Sequence, residues 1–169
     1  MPSQATRPPL VGMPAVWLRD NCPGAVLAVA ASLGYVRETN YRRLFDVRVE
    51  SSPSNLACTS LPIPPHTDNP YRDPVPAVQL LHCLHDAAEG GDSAFAELLS
   101  AAPSMLTVRL RPGDCAVSDN TRVLHARTGF AQAGRRHLQG CYADLDGVES
   151  AVAVGERATT GVIRRKDRT

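Results

Sequence analysis

Pro64-Pro65-His66-Thr67-Asp68-Asn69-Pro70-Tyr71-Arg72 is the stretch that decides how the rest of this chain is read. Three prolines within it remove backbone donors and fix φ, so the segment is extended or turning, not helical. In an extended segment, residues two apart leave the same face. His66 and Asp68 thereby present an imidazole and a carboxylate to one point. The spacing alone is weak: with five His among the 169 residues, about 0.3 such H-x-D pairs arise by chance. Its weight depends on what the flanking sequence adds.

Downstream, His125 ends the short apolar run Val123-Leu124 after the turn-rich Ser118-Asp119-Asn120-Thr121, as suits a side chain at the mouth of a β structure. Two His and one carboxylate form a facial set that binds iron(II) and leaves coordination positions open. Arg136, eleven residues beyond His125, is placed to hold a carboxylate through a two-pronged guanidinium contact that Lys does not reproduce. Arg135 is its rival, since neighbours on a strand face opposite ways. His82 and His85 flank Cys83 as H-x-x-H; on a regular strand they face opposite sides, which favours packing over a shared metal. Cys115 and Cys141 read as small buried apolar residues.

Around these residues the pattern is mostly β. Fourteen prolines and scattered short apolar runs favour strands and loops over a helical bundle. Phe45, Val47 and Val49 alternate with charged residues, which predicts a half-buried strand. Leu56 to Leu61 is expected to return as a strand. Further strands are expected over Val78 to Leu84, Met105 to Leu110, Cys115 to Val117 and Arg136 to Ala143. A short helix is expected over Gly24 to Leu33 with Gly34 as its stop, and a second over Ala94 to Ala101 capped by Ser93. Antiparallel sandwich or jelly roll is the fold class this implies.

A formal charge of +1 gives no electrostatic case for nucleic acid, and no apolar run reaches the length of a membrane span. Five scattered cysteines without C-x-x-C argue against a disulfide framework and for a reducing, cytoplasmic setting. No G-x-S-x-G elbow supports a hydrolase.

Trp17–Pro23, Gly34–Tyr41, Pro65–Pro76, Val78–Ser93 and Arg109–Asp146 together resemble the γ-butyrobetaine hydroxylase family. With its trimethyllysine hydroxylase relatives, that family belongs to the taurine-dioxygenase-like iron(II)/2-oxoglutarate oxygenases. The resemblance implies a double-stranded β-helix (jelly roll), mostly β with short helices. It implies that His66, Asp68 and His125 bind Fe(2+), that Arg136 binds 2-oxoglutarate with Leu81 lining that pocket, and that ascorbate serves as reductant. It implies O2-dependent hydroxylation of a small trimethylammonium carboxylate such as γ-butyrobetaine, as in carnitine biosynthesis. An aromatic cage holds such a cation by cation–π attraction; Tyr41, Phe45 and Tyr142 match cage positions, and Asn55 matches a polar residue near the substrate. A homodimer is also implied.

The chain departs from the family in three places. Cys58, which has no π-face, stands where a further cage aromatic is expected. Cys22 stands alone where the family has a Cys-rich zinc knuckle, so zinc is not predicted, and the sequence passes at Pro23–Gly24 into the catalytic part. A second jump near Ser93–Ala94 replaces a longer family segment, which predicts an incomplete or compacted barrel. The expected organisation is a leader and remnant over 1–23, an oxygenase domain over 24–153 and a basic flexible tail over 154–169. The rival expectation is a non-catalytic remnant that binds metal weakly or pairs with an intact family member.

Overall fold

The computed structural model describes residues 15–18, 21–97, 105–131, 133–147 and 150. Residues 1–14 of the expected leader and remnant, and all of the expected tail over 154–169, lie outside the described residues. The elements in chain order are β1 (Ala15–Trp17), α1 (Ala25–Leu33), β2 (Phe45–Arg48), β3 (Ile63–His66), β4 (Val78–Asp86), β5 (Ser93–Glu97), β6 (Met105–Val108), β7 (Asp114–Asp119), β8 (Val123–Arg127) and β9 (Arg136–Ala143). The strands form a five-stranded sheet in the order β1-β7-β4-β9-β2 and a four-stranded sheet in the order β3-β8-β5-β6. Every pairing is antiparallel. The two sheets face each other in a jelly-roll-like core.

Burial follows from this layering. β4 and β9 are apolar or uncharged along most of their length and buried almost throughout, because both faces of the larger sheet are covered. On the outer face, Val26 and Ala30 of α1 pack with Leu80, Cys115, Cys141 and Ala143. Burying a side chain the size of Val26 stabilises by about 1.5–3 kcal/mol. On the inner face, Val47, Cys83, Ala116 and Leu138 meet Phe95 and Val123 of the smaller sheet. No helix among the described residues is long and apolar enough to cross a membrane.

β3 contains Pro64 and Pro65 yet pairs with β8, which is allowed because β3 is an edge strand. The register slips between Ile63 and His66, and the pairing ends with His66 directly opposite His125.

Three sequence expectations are corrected. Leu56 to Leu61 does not return as a strand: Leu56–Cys58 is a single 3-10 turn, and β3 starts only at Ile63. The Asn55 side chain accepts the Cys58 N–H at 3.3 Å, which favours the turn. Over Ser93–Glu97 the expected helix is instead β5, paired on one side with β6 and on the other with β8, and the rest of the expected helix, 98–101, lies outside the described residues. Two ladders of backbone hydrogen bonds override the local preference of an Ala-rich segment. Ser93 and Ala94, where the jump is expected, are thus consecutive residues of one paired strand. Finally, His82 and His85 share a face. A bulge between Cys83 and His85 adds a residue, so His82 lies opposite Gln139 and His85 opposite His137 on the same side of β9.

Candidate metal centre

Cross-strand pairing brings the first two candidate ligands together. His66 and His125 face each other with ring centroids 4.2 Å apart. Asp68, two residues past the end of β3, turns its carboxylate between them: Oδ1 lies 3.5 Å from His66 Nε2, and Oδ2 lies 3.7 Å from His125 Nε2. One ligand atom from each residue falls within 4.8 Å of the others, a group able to hold a metal ion.

The proton inventory fits a cation. His66 Nδ1 lies 2.9 Å from the Pro64 carbonyl, which only accepts, so Nδ1 carries the hydrogen and Nε2 presents its lone pair to the site. Asp68 is pushed up by burial, but His66, His125 and Tyr142 outweigh this and hold it below the usual carboxylate range. Asp68 in turn raises the pKa of His66, so without a cation its Nε2 tends to hold a proton toward Asp68, and a metal ion would take that proton's place on the lone pair. Burial lowers His125 to about 4, so it is a neutral imidazole at pH 7. Two imidazole lone pairs and a carboxylate therefore converge on one point. That arrangement favours a positive charge between them, and N/N/O donors suit a divalent transition metal.

Several side chains hold Asp68 in place. The Tyr142 hydroxyl donates to Oδ2 at 2.7 Å, and burial together with Asp68 pushes its pKa up, so it remains a donor. The Gln79 amide also donates to Oδ2 and lies 3.3 Å from His125 Nε2. Asn120 accepts the Asp68 N–H at 2.7 Å and donates to the Asp68 carbonyl at 2.9 Å.

A cavity of about 460 Å³ opens from this centre between the sheets. Arg136 enters it from β9 and is 6% exposed, whereas Arg135 precedes the strand and is exposed. The choice between the two arginines follows from strand parity: Arg136, Leu138 and Tyr142 all line the cavity. Gly91 makes room for Arg136, because a Cβ there would meet the guanidinium Nε at 3.0 Å, and its φ of +79° suits glycine. Leu81 lines the cavity from the adjoining strand.

Tyr41, Phe45, Asn55, Cys58 and Tyr142 also line it. Phe45 and Tyr142 stack at 5.3 Å, and Tyr41 tilts against Phe45 at 6.1 Å. Phe45 lies over Gly140, where any Cβ would strike its ring. Tyr142 is thus part of the aromatic wall, but its hydroxyl is committed to Asp68. Asn55 spends its side-chain oxygen on the turn at Cys58.

Sequence reasoning missed Gln79, Asn120 and Arg127. Arg127 is 6% exposed and lines the cavity beside Arg136. It donates to the carbonyls of Ala57 at 3.3 Å, Thr59 at 2.8 Å and Leu61 at 2.6 Å. Gln79 and Arg127 each lie two residues from a singled-out position, Leu81 and His125, so the period of a strand was the available signal. Asn120 read only as a turn residue.

A family model described as "Taurine catabolism dioxygenase TauD, TfdA family" matches residues 15–107 and 97–142. The gamma-butyrobetaine dioxygenase of Pseudomonas sp. (strain AK-1) is 27% identical over 218 residues, covering 80% of this chain and 57% of that protein. The human gamma-butyrobetaine dioxygenase is 23% identical over 221 residues, covering 78% of this chain and 57% of its own length. The chain therefore spans little more than half of these relatives, and both alignments are longer than the chain itself, so the relatives carry residues between the matched blocks. Among solved structures, asparagine oxygenase (AsnO) superposes with a TM-score of 0.59 at 18% identity, covering 70% of this chain and 62% of that one. The non-heme iron oxygenase OrfP, in complex with Fe and alpha-ketoglutaric acid, gives 0.59 at 14%, covering 71% and 63%. These two likenesses bear on the fold alone.

Proposed function

Because the chain belongs to the taurine catabolism dioxygenase TauD, TfdA family, we propose that it is an iron(II)- and 2-oxoglutarate-dependent oxygenase. Its substrate in this reading is a small trimethylammonium carboxylate such as γ-butyrobetaine. One observation carries the reading: His66, Asp68 and His125 converge in the cavity that also receives the buried Arg136. His66, Asp68 and His125 would hold the metal, and Arg136 would take the far carboxylate of 2-oxoglutarate through charge-assisted hydrogen bonds. Iron(II) held there would, with 2-oxoglutarate and O2 as co-substrates, supply the oxidising power for hydroxylating an unactivated C–H bond.

The chain's own residues do the rest. Tyr142 and Gln79 occupy one carboxylate oxygen of Asp68, which leaves Oδ1 facing His66. Leu81, Phe95 and Leu138 keep the floor of the cavity apolar and limit water beside the reacting groups. Tyr41, tilted against Phe45, and the stacked pair Phe45 and Tyr142 form the aromatic wall that would face a quaternary ammonium. Cys58 weakens this wall, so Cys58→Tyr is expected to tighten γ-butyrobetaine binding; unchanged affinity would count against the cage. The relatives named gamma-butyrobetaine dioxygenase support this substrate class. A cytoplasmic setting and a catalytic domain over residues 24–153 belong to the same reading.

The test is anaerobic titration with iron(II) and 2-oxoglutarate, then admission of O2 with γ-butyrobetaine present and measurement of succinate. O2-dependent succinate is expected. A second reading, a metal-binding remnant without turnover, rests on the 57% span of the relatives. A folded sample that takes up iron but releases no succinate would favour it.

A further inference from the structure

Asn120 lies in the turn between β7 and β8, five residues before His125, and is 1% exposed. Its single amide makes three contacts. Oδ1 accepts the Asp68 N–H at 2.7 Å, and Nδ2 donates to the Asp68 carbonyl and to the Pro76 carbonyl, each at 2.9 Å. Its own backbone N–H donates to the Ala77 carbonyl at 2.7 Å. One residue therefore joins the Asp68 loop, the approach to β4 with Gln79, and the approach to β8 with His125.

What this grip does follows from backbone geometry. The φ and ψ of a residue set the direction of its Cα–Cβ bond against the flanking peptides, and for Asp68 the contacts of Tyr142 and Gln79 then fix the carboxylate end. The Asp68 N–H and C=O stand on either side of its Cα, and Asn120 holds both, so both torsions are pinned by one planar group. Asp68 is outside any strand, and the following Asn69 has a φ of +50°, so no ladder does this instead. Ligand positions in metal sites tolerate only about 0.5 Å of error.

We infer that Asn120 is a positioning residue that sets the Asp68 carboxylate against His66 and His125 by gripping the Asp68 backbone on both sides. The inference rests on the metal reading of the three ligands. Asn120 itself touches none of the ligand atoms. A merely structural amide would lower the stability of the fold without altering the metal's surroundings, whereas a positioning amide alters both.

Cobalt(II), titrated anaerobically into the full chain and followed by its visible absorption, is the probe. Wild type is expected to bind one ion. Asn120→Ala is expected to weaken binding about 10–100-fold, the range for lost outer partners of metal ligands, and to shift the absorption band at saturation. Asn120→Asp keeps the volume and the acceptor for the Asp68 N–H but turns a carboxylate oxygen toward the Asp68 and Pro76 carbonyls, so a band shift is expected there too; it also decides the matter if the alanine variant does not fold. Gln139→Leu is the comparison, since Gln139 is a buried amide on the outer face, bonded to Gly24 and Asp46. It is expected to lower the thermal midpoint and leave the band unchanged. Wild-type affinity and band in the folded Asn120 variants would overturn the inference while leaving the metal reading intact. An equal band shift in Gln139→Leu would overturn it as general loosening. No cobalt binding by wild type would overturn the metal reading, and the inference with it.

Discussion

The two faces of β4 carry buried polar side chains in opposite conditions. On the inner face Gln79 is 2% exposed, and its amide serves Asp68 and His125. Three residues on, on the outer face, His82 is 0% exposed, and neither ring nitrogen has a hydrogen-bond partner among the described residues. Burial pushes its pKa down, with no neighbouring charge to oppose it. The inner group lies among converging donors and acceptors. The outer one is a neutral imidazole packed as an apolar ring. Burial of a polar group marks a site only when partners converge on it.

The largest break in that contrast is expected from Asp68→Ala. Cobalt(II) affinity should fall more than about 100-fold, beyond the loss typical of outer partners, as read by the same titration. With the acceptor gone, Tyr142 and Gln79 lose their shared partner, so the metal-free protein should also lose about 1–3 kcal/mol in denaturant unfolding. Next, Arg136→Ala should weaken 2-oxoglutarate binding by about 2–4 kcal/mol, roughly 30- to 1,000-fold in Kd, by calorimetry with the metal present. Arg135→Ala, one residue away and exposed, should leave it unchanged. The reverse ranking would invalidate the division of β9 into two faces.

Gly140→Ala tests how tightly the inner face is packed. Its Cβ would strike the Phe45 ring, so a loss of about 1–3 kcal/mol is expected from overpacking, together with weaker binding of the quaternary ammonium. An unchanged urea midpoint would show that Phe45 moves freely.

His82→Leu should have the smallest effect and the opposite sign. Removing a buried polar group that has no partner should be neutral or stabilising by up to about 1 kcal/mol at pH 7.5. Its pH dependence is more telling. The folded His82 has a pKa below the ordinary 6.5 that the unfolded chain retains. As pH falls below 6.5 the unfolded chain takes up a proton that the folded chain resists, so stability drops until the folded pKa is passed. Urea midpoints at pH 7.5 and 5.5 should therefore differ less in His82→Leu than in wild type.

Legibility in the sequence divided along similar lines. His66, Asp68 and His125 could be singled out because the i, i+2 spacing, weak by itself, lies in a segment whose flanking blocks resemble a known family. Arg136 could be preferred by resemblance, and the structure adds that it, and not the exposed Arg135, lines the cavity. The Ser93 segment could not be read, because its Ala-rich composition describes local preference, whereas its state is set by β6 and β8 alongside. The bulge at Cys83–His85 was equally hidden; one extra residue changes which side chains share a face, and no composition announces it. Asn120 was invisible for a different reason. Its importance lies in the backbone it touches, fifty-two positions away.

Arg127 has a similar consequence for the rim of the cavity. Residues 57–61 follow an irregular course, and the guanidinium of Arg127 holds it by three of their carbonyls. Carbonyls are common to all residue types. The side chains along this rim are therefore free to vary, in evolution or by design, while the path of the chain stays the same. Position 58 is where such variation would register, since its side chain faces the cavity and its backbone course is already secured.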